Sequence, residues 1–126
     1  MGFLSKYQPH ILGLMRIVLG LLFLEHGTAK LLHFPHLAMF DNLIPILVVA
    51  GAIELVGGAM IALGLFSRIV AFICSGEMAI AYWLGHVARS GSFFPVINGG
   101  EAAILFCFAF LYLAAAGPGS WAVNES

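Results

Sequence analysis

Residues 45–66 read PILVVAGAIELVGGAMIALGLF, an apolar run broken by a single charge, Glu54, near its middle. A helix rising ~1.5 Å per residue needs roughly 20 apolar residues to cross a bilayer, so this run is long enough to span one. Gly51, Glu54 and Gly58 follow one another at i, i+3 and i+7. The carboxylate therefore lies on a glycine-lined face. A charge at bilayer depth costs on the order of 2.5–3.5 kcal/mol, so Glu54 is expected to face protein or water, not lipid. The small residues beside it let a neighbouring helix come close.

The rest of the chain has the same character. Of its 126 residues 62% are hydrophobic and only 9% charged. A soluble domain of this size cannot hide so much apolar surface, which makes the chain an integral membrane protein in contact with the lipid bilayer. A net charge of −1 gives no basis for nucleic-acid binding. No stretch has the form of a cleavable signal: the first apolar run is too long for a signal core and contains Glu25, His26 and Lys30. Cys74 and Cys107 both lie in apolar runs and form no CxxC pair, so a redox dithiol is not expected. Counted from the loop side, their depths differ by about 8 Å, too far for a disulfide.

Four apolar runs, Ile11–Leu32, Pro45–Phe66, Ile69–His86 and Gly100–Ala116, predict an all-α membrane protein. The expected architecture is a four-transmembrane-helix bundle occupying residues 1–126 as one domain. Continuous runs of this kind do not fit transmembrane strands, which alternate in polarity. The long loops 33–44 and 87–99 fall on one side of the membrane. The short turn Phe66-Ser67-Arg68 makes helices two and three an antiparallel hairpin. Lys6, Arg16 and Arg68 lie toward one side, Lys30 and Arg89 toward the other. By the positive-inside rule both termini are expected in the cytoplasm.

Helix one carries a polar and glycine stripe in which His26 and Lys30 stand ~40° apart and Arg16 ~40° beyond; Glu25 points ~100° from His26. Arg16 and Lys30 each also have a simpler reading, snorkelling toward the two headgroup layers. Measured from the loop side, Glu25 is about seven residues deep and Glu54 and Glu77 about nine, with His86 and Glu101 at the rim. The opposite half reads as almost pure Leu, Ile, Val, Phe and Ala. This one-sidedness predicts a polar pocket opening toward the loops, because intramembrane ionisable residues are functional candidates by default. Each residue also has a structural alternative. Glu54 can be a strut to Lys30 or His26, Glu77 shares a close-packing face with Cys74 and Ala81, and His86 suits a helix C-terminus. Asn98-Gly-Gly-Glu101 has capping-box spacing, and its two glycines expose amides able to hold a small anion. Four glutamates and two histidines suggest a di-iron bundle, but the Glu-x-x-His pairs of such bundles are missing, and a metal is not expected.

Three stretches in order, RIVLGLLFLEHGTAKLLHFP, GAIELVGGAMIALGLFSRIVAFICSGEMAIAYWLGH and FFPVINGGEAAILFCFAFLYLAAAGPGSW, resemble the DoxX family of small four-helix bacterial membrane proteins. On that resemblance His26, Lys30, Glu54, Arg68, His86, Asn98 and Glu101 occupy the family's characteristic polar positions, and Glu77 fits one branch. Ser67 stands where many members have Thr, and the tail WAVNE is less acidic than the usual one. The resemblance implies membrane redox work, alongside quinol-linked oxidoreductases or soluble sulfur and superoxide enzymes. It leaves three readings open. One is binding of a quinone or small sulfur-type substrate, with His26, Lys30, Glu54 and His86 bonding the ligand and relaying protons. Another is a non-catalytic scaffold for a soluble redox enzyme partner, and the last a proton or solute conductance through Glu25, Glu54 and Glu77. A homo-oligomer is compatible with each. No residue is assigned a catalytic role.

Overall fold

The computed structural model describes residues 2–126. Its elements in chain order are α1 (Gly2–Ser5), α2 (Gln8–Leu31), a 3₁₀ turn Ala38–Phe40, α3 (Pro45–Leu63) and α4 (Ser67–Ile80). A π-helical stretch, Ala81–Val87, carries α4 without a break into α5 (Ala88–Ser90), followed by α6 (Pro95–Asn98) and α7 (Glu101–Ala116). There is no strand among the described residues. Gln8–Leu31, Pro45–Leu63 and Ser67–Ser90 are long and apolar enough to cross a membrane. α7 is equally apolar but has 16 residues, shorter than the other three.

The ends of these helices follow local chemistry. α2 begins earlier than its apolar run because Pro9 suits a first turn. α3 stops at Leu63, short of the expected Phe66, because Gly64 turns left-handed at φ 76° and closes the helix. The third span passes its expected end at His86 and reaches Ser90, since the π-helical stretch absorbs Gly85 without breaking the rod.

Large apolar side chains such as Leu14, Val18, Val56, Phe72, Leu105 and Phe108 are exposed around the outside. A surface of that kind belongs in lipid, not water. Inside, Phe23 packs on Phe106 and Phe110, with Phe23–Phe110 centroids 4.8 Å apart, and Ile61, Cys74 and Leu113 complete the core.

α2 runs antiparallel to α3, and α4 antiparallel to α7. Glycines set the closeness of the first pair. A Cβ at Gly20 would sit 2.5 Å from the Ala62 nitrogen, and one at Gly58 2.6 Å from the Leu24 nitrogen. The two backbones touch, so no other residue fits without separating them.

The end of the bundle bearing the termini corrects the expectation of an apolar half. Arg16 is fully buried there, and its snorkelling reading fails because the C-terminal segment closes over it. Its guanidinium donates to Ile61 O (3.0 Å), Pro118 O (2.5 Å), Ser120 O (2.9 Å) and Trp121 O (2.9 Å). Backbone bonds from Ser120 to Pro9, Val123 to Leu63 and Asn124 to Gly64 lace the same segment across the bundle. Arg68 does a similar service for α7, donating to the carbonyls of Ala114, Ala115 and Ala116. Arg68 thus meets the free carbonyls at the negative end of a helix, whereas Arg16 joins the end of α3 to carbonyls of the C-terminal segment.

Replacing Arg16 by Met keeps the bulk and removes every donor. Each buried carbonyl abandoned this way costs about 1–3 kcal/mol. In Arg16→Met, residues 118–126 are expected to become cleavable by added protease while wild type stays protected. Equal protection in both would show that the segment is held by something else.

Candidate functional site

The polar residues of the loop-side half separate into three groups. The innermost is Lys30, Glu54 and Glu77. Lys30 stands at the end of α2 and Glu54 in the middle of α3, yet Lys30 Nζ is 2.6 Å from Glu54 Oε1 and both side chains are buried. Helix direction explains the meeting. Side chains lean toward the N-terminus of their own helix, so Lys30 leans down into the membrane and Glu54 leans up from the antiparallel α3. Lys30 does not snorkel outward to the headgroups. Gly51 makes room for it: a Cβ there would be 3.1 Å from Lys30 Cβ. The loop after α2 then folds back as a lid, burying Phe40 with its ring 4.9 Å from the ammonium, a cation–π contact.

Glu77 comes to the same place from α4. It stands beside Glu54, since one turn along each helix Gly57 of α3 lies against the Cys74 sulfur of α4. Both of its carboxylate oxygens are shielded from solvent, and neither has a hydrogen-bond donor. A buried carboxylate without donors is costly, which makes this the least satisfied polar group of the cluster. Cys74, one turn earlier on α4, is buried and unpaired beside Gly57.

The second group is at the rim. His86 Nδ1 lies 3.2 Å from Asn98 O. Asn98 is not the N-cap its spacing predicts. α7 starts at Glu101 with Gly100 before it and no side-chain cap, and Glu101 is exposed beside Phe94, Val96 and Ile104. The reason is that α6 ends on Asn98 and Gly99 turns left-handed at φ 75°, which places Asn98 inside the loop. Its amide donates to Tyr82 Oη (3.1 Å) and Ser92 O (3.1 Å), and its Oδ1 accepts from Gly100 N (2.7 Å). The Tyr82 hydroxyl in turn donates to Phe93 O. Asn98 and Tyr82 together staple the 91–100 loop.

Glu25 and His26 form the third group and do not join the others. Both are exposed on the flank of α2, six and five residues from its end. The His26 ring meets Phe106 of α7 edge-on at 6.0 Å. Among the described residues no ion pair reaches Glu25, and no three of His, Cys, Asp and Glu converge in a way that would hold a metal ion.

Sequence reasoning passed over Phe40 and Tyr82. Phe40 carries no signal in the chain, since only the fold of the loop shows what it covers. Tyr82 sits in an apolar run, where a hydroxyl that finds a partner once buried is the available clue.

The DoxX family model matches residues 11–87, which hold every member of the inner cluster. An uncharacterized protein of Haemophilus influenzae is 48% identical over 129 aligned positions, covering 99% of this chain and 96% of its own. No solved structure matches.

The staple gives a direct test by hydrogen exchange. Asn98→Ala is expected to lose protection across residues 91–100 and keep it in α7. If the first turn of α7 were the part that opened, Asn98 would be acting as a cap after all.

Proposed function

The chain belongs to the DoxX family, and on that premise we propose a redox-associated protein of the bacterial inner membrane that binds a quinone in its loop-side half. In this reading α7 is a fourth crossing, extended by the 95–100 segment, and both termini are cytoplasmic. The observation that carries the reading is the inner cluster. A buried ion pair gives little net stability compared with apolar packing, and a third, unbonded carboxyl beside it gives none. Retaining all three inside a membrane points to use.

The residues suit such a ligand in donor chemistry. His26 lies on the outer flank, where a molecule dissolved in lipid reaches it directly, and its ring offers an N–H to a carbonyl oxygen. Phe106 presents an aromatic wall against it. Glu25 is one residue away and accepts a proton or a hydroxyl hydrogen. Lys30 and Glu54 lie further in and keep a fixed charge pair behind the docking edge. A quinone brings two-electron, two-proton redox chemistry; the chain supplies orientation and proton acceptors.

Titration of the purified protein with a fluorescent or short-chain ubiquinone analogue tests this. Binding is expected in wild type, and His26→Ala should weaken it on the order of tenfold, the value of one hydrogen bond of ~1–1.5 kcal/mol. No binding to wild type, or equal binding by the variant, rejects the reading.

One observation favours the scaffold alternative. Phe40 closes over Lys30, so the inner cluster braces the bundle without opening to the loops. A scaffold retains a soluble redox enzyme on affinity purification whether or not His26 is present, and it loses that enzyme when residues 33–44 are replaced.

A further inference from the structure

We infer that Glu77 and Glu54 form a proton-holding pair, one carboxylic acid and one carboxylate, with the proton on Glu77 and the charge on Glu54 fixed by Lys30. Both readings start from the inner cluster, but this one stands without a bound quinone, since Glu77 touches no ligand in that reading.

The geometry leads there in steps. Lys30 Nζ is 2.6 Å from Glu54 Oε1, so the ammonium already has its counter-charge in that oxygen. Glu77 stands beside Glu54: one turn along each helix, Gly57 of α3 lies against the Cys74 sulfur of α4, a Cβ there falling 2.8 Å from it, and the two Glu77 oxygens are buried with no donor offered to them. As two carboxylates the pair has no hydrogen between them and can only repel. One proton removes the conflict: a protonated Glu77 has an O–H to donate to the carboxylate of Glu54. The cluster is then one ammonium, one carboxylate and one neutral acid, a neutral set in a medium that penalises net charge. Other arrangements leave more unsatisfied. Moving the proton to Glu54 separates Lys30 from the anion it touches, and removing it places two negative charges beside one positive.

The groups that face Glu77 are few. Glu54 comes from α3, Lys30 from α2, and Cys74 from its own helix. α7 brings no charged side chain to the cluster, its Glu101 being exposed at the helix start. The proton of Glu77 therefore has the Glu54 carboxylate as its acceptor, and the pair is a one-proton store in the loop-side half of the membrane.

Infrared spectroscopy of the full chain in lipid nanodiscs at neutral pH tests this directly. Wild type is expected to show a carboxylic-acid C=O band that is absent from Glu77→Gln and present in Glu25→Gln. Glu54→Gln frees Lys30 to pair with Glu77, so the band should vanish there too, and return when Lys30→Met is added. Gln has the shape of a neutral acid, so Glu77→Gln should fold and melt like wild type. A band unaffected by Glu77→Gln, no such band in wild type, persistence of the band in Glu54→Gln, or failure of Glu77→Gln to fold would each overturn the assignment.

Discussion

An ammonium and a carboxylate 2.6 Å apart, buried between two helices whose outer surfaces are apolar, set the terms for the loop-side half of this protein. Neither charge can be left alone in such a place. Breaking a buried pair from one side is costly because the remaining charge keeps its desolvation penalty and loses its partner. The pair therefore forces α2 and α3 into one register, and the glycines make that register reachable. Gly20 and Gly58 bring the backbones into contact, Gly51 clears space beside Lys30, and Phe40 covers the ammonium. Helix polarity does the rest: in an antiparallel pair the two side chains lean toward each other.

The other end of the bundle solves a similar problem without an acid. Arg16 is as deeply buried as any residue in the chain, and it is answered by four backbone carbonyls drawn from α3 and the C-terminal segment. Arg68 meets the carbonyls at the end of α7. Arg68 completes a helix end, whereas Arg16 pairs carbonyls that the C-terminal segment brings into the fold. The two halves thus differ in kind. The termini side is a knot of hydrogen bonds that leaves one neutral hydroxyl, Ser67 Oγ, without a partner, whereas the loop side holds an ionisable carboxyl, Glu77, to which no donor is offered. That contrast is why a functional reading attaches to Glu77 and Glu54 and not to Arg16.

Much of this was legible in the chain. The apolar runs announced the helices, and the spacing of Gly51, Glu54 and Gly58 announced a close-packed face with a carboxylate on it. Lys30 is a legible partner of Glu54 because phase and depth can be counted along a helix. What could not be read depended on backbone acceptors and loops, which have no periodicity. The four carbonyls around Arg16 come mainly from residues 118–121, a segment whose path is set only by folding back. Asn98 had the spacing of a cap and became a loop staple because Gly99 turned the chain before α7 began. Glu25 and His26 stay on the flank because α2 meets α3 through Gly20 and Gly27, and these two residues stand ~200° and ~100° around the helix from Gly27.

The central claim is that Lys30 and Glu54 stabilise this bundle as a pair, not as two separate polar residues. A double-mutant cycle of Lys30→Met and Glu54→Leu, read by reversible unfolding in detergent, tests it most directly. Each single change is expected to destabilise by about 3–5 kcal/mol, leaving a lone buried charge, and the double variant to recover most of the loss. Single costs that simply add in the double variant would contradict the account.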